Sequence, residues 1–204
     1  MITLAIDTAS SHTSIAVFED TQILQEETWE SNNDEAEKLM PAIEEMLNKN
    51  SLSYENIDQI YCVKGPGSFT GLRIGVTVAN TISYLTKAKL FTASTFEYLH
   101  HKTDLPVIVF AGKGGVYLSK NINSKPELLS LEEMNQKEIK EVAGDIRDFQ
   151  KEALSNIKFT ETNESFATTM LKIISKEKDP IKIIHPLYIK SPSITKSKKT
   201  ICFT

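Results

Sequence analysis

Gly65-Pro66-Gly67-Ser68-Phe69-Thr70-Gly71-Leu72-Arg73-Ile74-Gly75 holds four of the chain's eight glycines in eleven residues. Backbone geometry therefore governs it. The stretch follows an apolar run, Ile60-Tyr61-Cys62-Val63, and precedes a helical pattern from Leu72 to about Leu85. A strand, a glycine turn and a helix N-terminus in that order suit an anion or a partner. The standard nucleotide spacings fail. A P-loop needs glycines five apart, then Lys and Ser or Thr, but Gly67 and Gly71 are four apart and Leu72-Arg73 follows. In the dinucleotide fingerprint Gly65 and Gly67 fit, and the third glycine position falls on Thr70. The plainer reading is a tight turn, with Ser68 or Thr70 capping the helix. Pro66 fixes φ there, and Gly67 or Gly71 can take φ > 0.

The chain has 204 residues, 40% of them apolar and 25% charged, which suits one large domain or two small lobes. Its net charge of −4 does not favour a polyanion, so strong RNA binding by this chain alone is not expected. Cys62 and Cys202 are distant and suggest neither a disulfide framework nor a zinc site. His12, His100, His101 and His185 lack metal-ligand spacing, and His100-His101 is expected to end a helix. No basic leader precedes the first strand and no apolar run is long enough to cross a bilayer, so a cytoplasmic protein is expected.

Strands are expected at Ile2 to Ile6, Thr13 to Phe18 and Ile23 to Thr28. A helix capped by Asn33 or Asp34 follows, with a stripe of Ala36, Leu39, Met40, Ile43, Met46 and Leu47. Pro41 inside that stripe implies a kink or a later start. Next come a strand at Ile57 to Val63, the glycine segment and its helix, a strand at Lys89 to Ala93 and a short helix from Thr95. Hairpin-connected strands followed by strand–helix alternation predict an α/β fold with a mixed sheet. A second region begins near residue 102. It has strands at Leu105 to Ala111 and Val116 to Leu118, a charge-rich stretch at 131–151 and a helix over Ser165 to Ser175. The lysines Lys190, Lys196, Lys198 and Lys199 mark a basic, solvated tail.

Several segments together resemble the bacterial TsaB (YeaZ) family. They are Ala5-Ile6-Asp7-Thr8, Ser14-Ile15-Ala16-Val17, Glu37-Lys38-Leu39-Met40-Pro41 with Ile43, the glycine segment, Ser94-Thr95-Phe96-Glu97, and Pro186-Leu187-Tyr188-Ile189-Lys190 with Pro192. The match covers the first 100 residues and returns at about 186–192. The resemblance implies a two-lobed actin-like ATPase (ribonuclease-H-like) fold, with mixed sheets flanked by helices. The lobes are expected at 1–102, carrying the partner-binding helices, and at 103–204, smaller and divergent. It further implies a non-catalytic subunit in the synthesis of N6-threonylcarbamoyladenosine at position 37 of ANN-decoding tRNAs. Such a subunit pairs with a TsaD-type paralogue that transfers the group, and is joined by a TsaE-type ATPase. Alone it is expected to form a homodimer, and to meet tRNA only through the complex, with no membrane. No cofactor is expected on this chain alone; ATP or ADP and metal belong to the partner subunits or to the joint.

The residues themselves agree with that role. Actin-like ATPases place a glycine two positions after the first Asp, and here Asp7-Thr8-Ala9 puts alanine there. Asp7 reads as a leftover metal-water ligand or as an Asx-turn residue. The resemblance places a partner interface on Leu39, Met40, Ile43, Met46, Leu47, Val76 and Asn80, with Thr77 and Thr81 allowing close helix approach. The alternative is that both stripes pack on the chain's own sheet. Within the signature loop of Gly65, Pro66, Gly67, Ser68, Phe69, Thr70, Gly71 and Arg73, the arginine opposes the helix dipole. It meets either a partner carboxylate or phosphate, or an internal acid such as Asp7 or Asp58. An actin-like ATPase or small-molecule kinase is the competing function. A peptidase has no support in any Ser, Cys or metal pattern with histidine.

Overall fold

The computed structural model describes residues 1–32, 34–176 and 178–189. Asn33, Lys190, Pro192, Cys202 and the tail lysines lie outside the described residues. The same order of elements occurs twice: three strands, helix, strand, helix, strand, helix. The first set is β1 (Ile2–Asp7), β2 (His12–Glu19), β3 (Gln22–Glu30), α1 (Glu35–Lys49), β4 (Ile57–Val63), α2 (Phe69–Thr86), β5 (Lys89–Ala93) and α3 (Thr95–His100). The second is β6 (Val107–Phe110), β7 (Gly115–Ser119), β8 (Glu127–Ser130), α4 (Leu131–Asn135), β9 (Glu141–Asp145), α5 (Asp148–Ala153), β10 (Lys158–Phe159) and α6 (Phe166–Ile174).

The sheets repeat too. Their strand orders are β3-β2-β1-β4-β5 and β8-β7-β6-β9-β10. In each, the first three strands form an antiparallel meander and the fourth and fifth run parallel to the first. This is the two-lobed α/β actin-like fold with mixed sheets flanked by helices.

Strand alternation builds the layers. Leu4 and Ile6 of β1 face α1 and α2, in a core with Leu39, Ile43, Met46, Val76 and Ala79. Ala5, on the opposite face, joins Phe96, Val109, Phe166 and Met170 in a core shared by both sheets. The outer face of the second sheet packs Ile108, Val116, Leu118 and Met134. The closing helices tie the lobes together: α3 packs on β6, while α6 packs back on β2 and β3. Glu26 of β3 accepts the Phe166 N–H at 2.8 Å, a side chain of one lobe receiving the start of α6.

Three details differ from expectation. α1 runs unbroken through Pro41, with Asp34 at its N-cap position. The Asp34 carboxylate is held 2.6 Å from Lys38 instead of capping. α2 starts at Phe69, three residues before the periodic run, because Ser68 Oγ accepts the Gly71 N–H. His100 ends α3 as expected, but in a setting that disfavours its charged form. Burial, then His101, holds its imidazole below the usual range, and Nε2 lies 2.9 Å from Ser119 Oγ. Ser119 is buried, and its hydroxyl staples the 119–124 turn. The contact is therefore a structural one.

The last described segment straps across α2. Asn80 clamps Ile184, donating from Nδ2 to its carbonyl at 3.0 Å and accepting its N–H on Oδ1 at 2.9 Å. Leu187 N–H donates to Lys64 O at 2.7 Å. Asn80 thus serves the chain itself, which removes it from the expected interface. Asn80→Ala is expected to cost about 1–3 kcal/mol, by stranding both backbone groups of Ile184. Hydrogen exchange confined to 181–189 should accelerate in the variant; unchanged protection there would refute the clamp.

Candidate functional site: the cleft between the lobes

The glycine segment covers the β1–β2 turn. Ser68 N–H donates to Ala9 O at 2.7 Å, and Thr8 Oγ1 donates to Gly71 O at 2.7 Å. A Cβ at Gly67 would collide with Ala9 O, one at Gly71 with Thr8 O, and one at Gly75 with the Thr8 hydroxyl. The glycines at 67 and 71 therefore serve close approach, not left-handed backbone. Positive φ falls instead on Gly65, at 99°. Leu72 packs beside Gly65, and Thr95 binds the turn from α3, donating through Oγ1 to Pro66 O at 2.7 Å.

The β1–β2 turn is also satisfied from within. Ala9 N–H donates to Asp7 Oδ1 at 2.7 Å, an Asx-type bond, so Asp7 takes the turn role. Ser11 is clamped from the second lobe, its N–H and hydroxyl donating to the two carboxylate oxygens of Asp145 at 2.7 and 2.8 Å. His12 N–H donates to Ser10 Oγ at 3.1 Å. Asp7 is buried, and its carboxyl is pushed up to about 7. Burial is the main cause and the charge of Asp145 adds to it; the Ala9 N–H and Lys102 act in the opposite direction.

A cleft of about 880 Å³ lies between the glycine segment and the β6–β7 turn. Phe69, Leu72, Leu187 and Tyr188 line one wall, and Phe110, Tyr117 and the Gly112–Gly115 turn line the other. Gln150 of α5 fixes that turn. It is fully buried and donates to Gly112 O at 3.1 Å and to Gly115 O at 2.8 Å. Nothing lies within 4 Å of where a Cβ at Gly112 or Gly114 would sit, so the turn's tip is open.

Arg73 stands at the cleft's rim. Its guanidinium carbon lies 3.9 Å from the Phe69 ring centroid, and Nε donates to the Tyr188 hydroxyl at 3.1 Å. Phe69 and Tyr188 are themselves in contact, with centroids 4.8 Å apart. Neither Asp7 nor Asp58 pairs with it: among the described residues Arg73 has no ion pair. Asp58 instead accepts the Ile2 N–H at 2.7 Å.

The expected interface divides in two. Leu39, Ile43, Met46, Leu47 and Val76 are buried against the chain's own first sheet. They cannot also meet a partner in this conformation, because one stripe has one occupant. Met40 is 39% exposed and points away from that core, with Thr77 and Thr81 exposed on α2. Tyr84 and Leu85, at 74% and 71% exposure, continue the outer surface of α2. Among the described residues no group of three or more His, Cys, Asp or Glu is placed to hold a metal, and no helix is long and apolar enough to cross a membrane.

The model for the family described as TsaD, tRNA N6-adenosine threonylcarbamoyltransferase, matches residues 30–143, more than half of the chain. A curated relative, the tRNA threonylcarbamoyladenosine biosynthesis protein TsaB of Bacillus subtilis (strain 168), is 35% identical over 123 residues. The chain belongs to the TsaB (YeaZ) family. The Bacillus alignment takes in 57% of this chain and 53% of the relative. The TsaB of Buchnera aphidicola subsp. Schizaphis graminum is 30% identical over 123 residues, 57% of this chain and 58% of that one. The chain thus spans about half the length of these curated TsaB relatives. Among solved structures, a Pseudomonas aeruginosa protein described as similar to peptidase YEAZ superposes with a TM-score of 0.75 at 15% identity, over 93% of this chain and 99% of that one. YeaZ from Pseudomonas aeruginosa gives 0.67 at 16%, over 85% and 91%. These two likenesses carry the TsaB fold across nearly the whole chain, including the lobe where sequence matches poorly.

Proposed function

We propose that this TsaB-family chain is a non-catalytic, dimerising subunit in the biosynthesis of tRNA threonylcarbamoyladenosine. In this reading it pairs with a TsaD-type paralogue, is joined by a TsaE-type ATPase, and supports threonylcarbamoyl transfer to adenosine 37 of ANN-decoding tRNAs. It works in the cytoplasm, self-associates when alone, and leaves nucleotide and metal to its partners. The observation that carries the reading is the covered β1–β2 turn. The N–H groups of Ala9, Ser11 and His12 all donate within the chain. A phosphate cradle needs such groups free and convergent. With that hairpin closed, the outer side of α1 and α2 is the surface offered to a partner subunit.

Met40 is the residue to test on that surface, since methionine adapts to more than one partner. Met40→Glu is expected to weaken co-purification with the TsaD paralogue at least tenfold, while shifting stability by under about 0.5 kcal/mol, as for an exposed site. Ile43→Glu, one turn away and buried, should fail to fold, because it puts a carboxylate into the core. Reconstitution of the modification with and without this chain decides the larger claim. Hydrolysis of ATP by the isolated chain at enzymatic rates would sink the non-catalytic reading.

A further inference from the structure

The chain contains 23 cationic side chains other than histidine, and only two are arginines, Arg73 and Arg147. Neither lines the cleft itself, but each packs on a phenylalanine that does, one on each lobe. Arg73 lies over Phe69, and Arg147 lies over Phe110 at 5.3 Å from the ring centroid. Both phenylalanines line the cleft. Among the described residues neither guanidinium has an ion-pair partner, whereas eight lysines are paired with Asp or Glu. A chain that uses lysine wherever a point charge suffices keeps arginine where a planar fork is needed.

We infer that the cleft binds a single-stranded stretch of RNA, gripped by Arg73 and Arg147 from its two walls; this rests on the RNA-modification reading above. A nucleotide strand offers a flat apolar face and an oxyanion in regular succession. Each Arg–Phe pair presents their complements: a guanidinium plane, backed by a ring, on which a base can stack, and a fork for a phosphodiester. Phe69 is held between Arg73 and Tyr188, and Tyr188 is 38% exposed at the cleft's edge, so the exposed flat surface there is shared by the guanidinium and the tyrosine. An acidic peptide would satisfy the arginines but not the rings. A free nucleoside triphosphate would need the β1–β2 amides, and those of Ala9, Ser11 and His12 already donate within the chain. The open Gly112–Gly115 turn, with exposed Lys113, lets a backbone pass close to the second wall. The net charge of −4 supplies no long-range attraction, so binding is short-range and modest in the isolated chain.

The test uses the full chain and a fluorescein-labelled single-stranded oligoribonucleotide, read by anisotropy across a salt series, with the duplex and AMP as competitors. The single strand should bind with a log–log salt slope of about −1.4, the value for two phosphate contacts. Arg73→Lys and Arg147→Lys keep the charge and lose the plane. Each should weaken binding about tenfold, the scale of one base stack, at unchanged melting temperature. Arg→Ala at either site should bring the slope to about −0.7. Ultraviolet cross-links should fall on peptides containing Phe69, Phe110 or Tyr188. Duplex binding of equal strength, lysine variants that bind like the parent, cross-links elsewhere, no binding, or AMP binding in place of RNA would each overturn the inference. RNA binding without any effect on reconstituted tRNA modification would leave the cleft site standing and reject the proposed function. Modification that survives both lysine variants undiminished would do the reverse.

Discussion

Gly71→Ala is expected to unfold the chain or cost it more than about 3 kcal/mol, against a helix-propensity gain of about 1 kcal/mol. Gly71 is the third residue of α2, and on propensity alone alanine is the better residue there. Sterics decide the sign. The added methyl would collide with the Thr8 carbonyl oxygen, which is backbone of the central strand's turn and cannot rotate away. Relief requires α2 to move off the β1–β2 turn. That would break the Thr8–Gly71 and Ser68–Ala9 hydrogen bonds together. Gly114→Ala is the control, since open space surrounds that position and its φ is ordinary. Urea denaturation of both variants makes the comparison. A Gly71→Ala protein as stable as the Gly114→Ala protein would show that the glycine segment does not seat on the turn as described.

This seating explains which parts of the molecule were legible in the sequence. The glycine segment announced a special backbone, but its purpose lies some sixty residues away. Nothing in the local order says that Thr8 and Ala9 press against Gly67 and Gly71. Gly67 and Gly71 could have taken positive φ, but Gly65 does, for the same reason. The first sheet was readable because its strands are long and alternate, and because caps and turns punctuate its helices. In the second lobe β8 has four residues and β10 only two. Such strands show no period, so the repeat of the whole topology is visible only in three dimensions. The apolar stripe on α1 was read correctly as a stripe. Periodicity reports that a face is apolar, not what covers it: the resemblance placed Leu39, Ile43, Met46 and Leu47 at an interface, the alternative was the chain's own sheet, and they are buried against that sheet. The scarcity of arginine is a different case. It is countable in the sequence, but only the fold shows both arginines packed on phenylalanines of one cleft.

Asp7→Asn is expected to make the chain more stable, and only above acidic pH. The carboxyl of Asp7 is pushed from an ordinary 3.8 to about 7. A raised acid means that the folded state prefers the protonated form more than the unfolded chain does. As pH rises from about 4, the unfolded chain releases this proton first, and folding loses stability progressively until about pH 7. Above that both states are ionised, and the loss is constant. A shift of this size corresponds to roughly 4 kcal/mol. Asparagine does not titrate and retains an oxygen for the Ala9 N–H, but its amide hydrogens need acceptors in a buried place, which offsets about 1–3 kcal/mol. The net expectation is a gain of roughly 1–3 kcal/mol at pH 8, shrinking to nothing or reversing at pH 4. Urea denaturation of both proteins across that range measures it. A parent protein whose stability stays level or rises from pH 4 to 7, relative to Asp7→Asn, would refute the burial argument. If the window is found, its consequence reaches beyond stability. Ionised Asp7 adds a second negative charge near Asp145, whose carboxylate holds Ser11 and so joins the lobes. The junction of the two lobes then carries its least favourable charge at neutral pH and above.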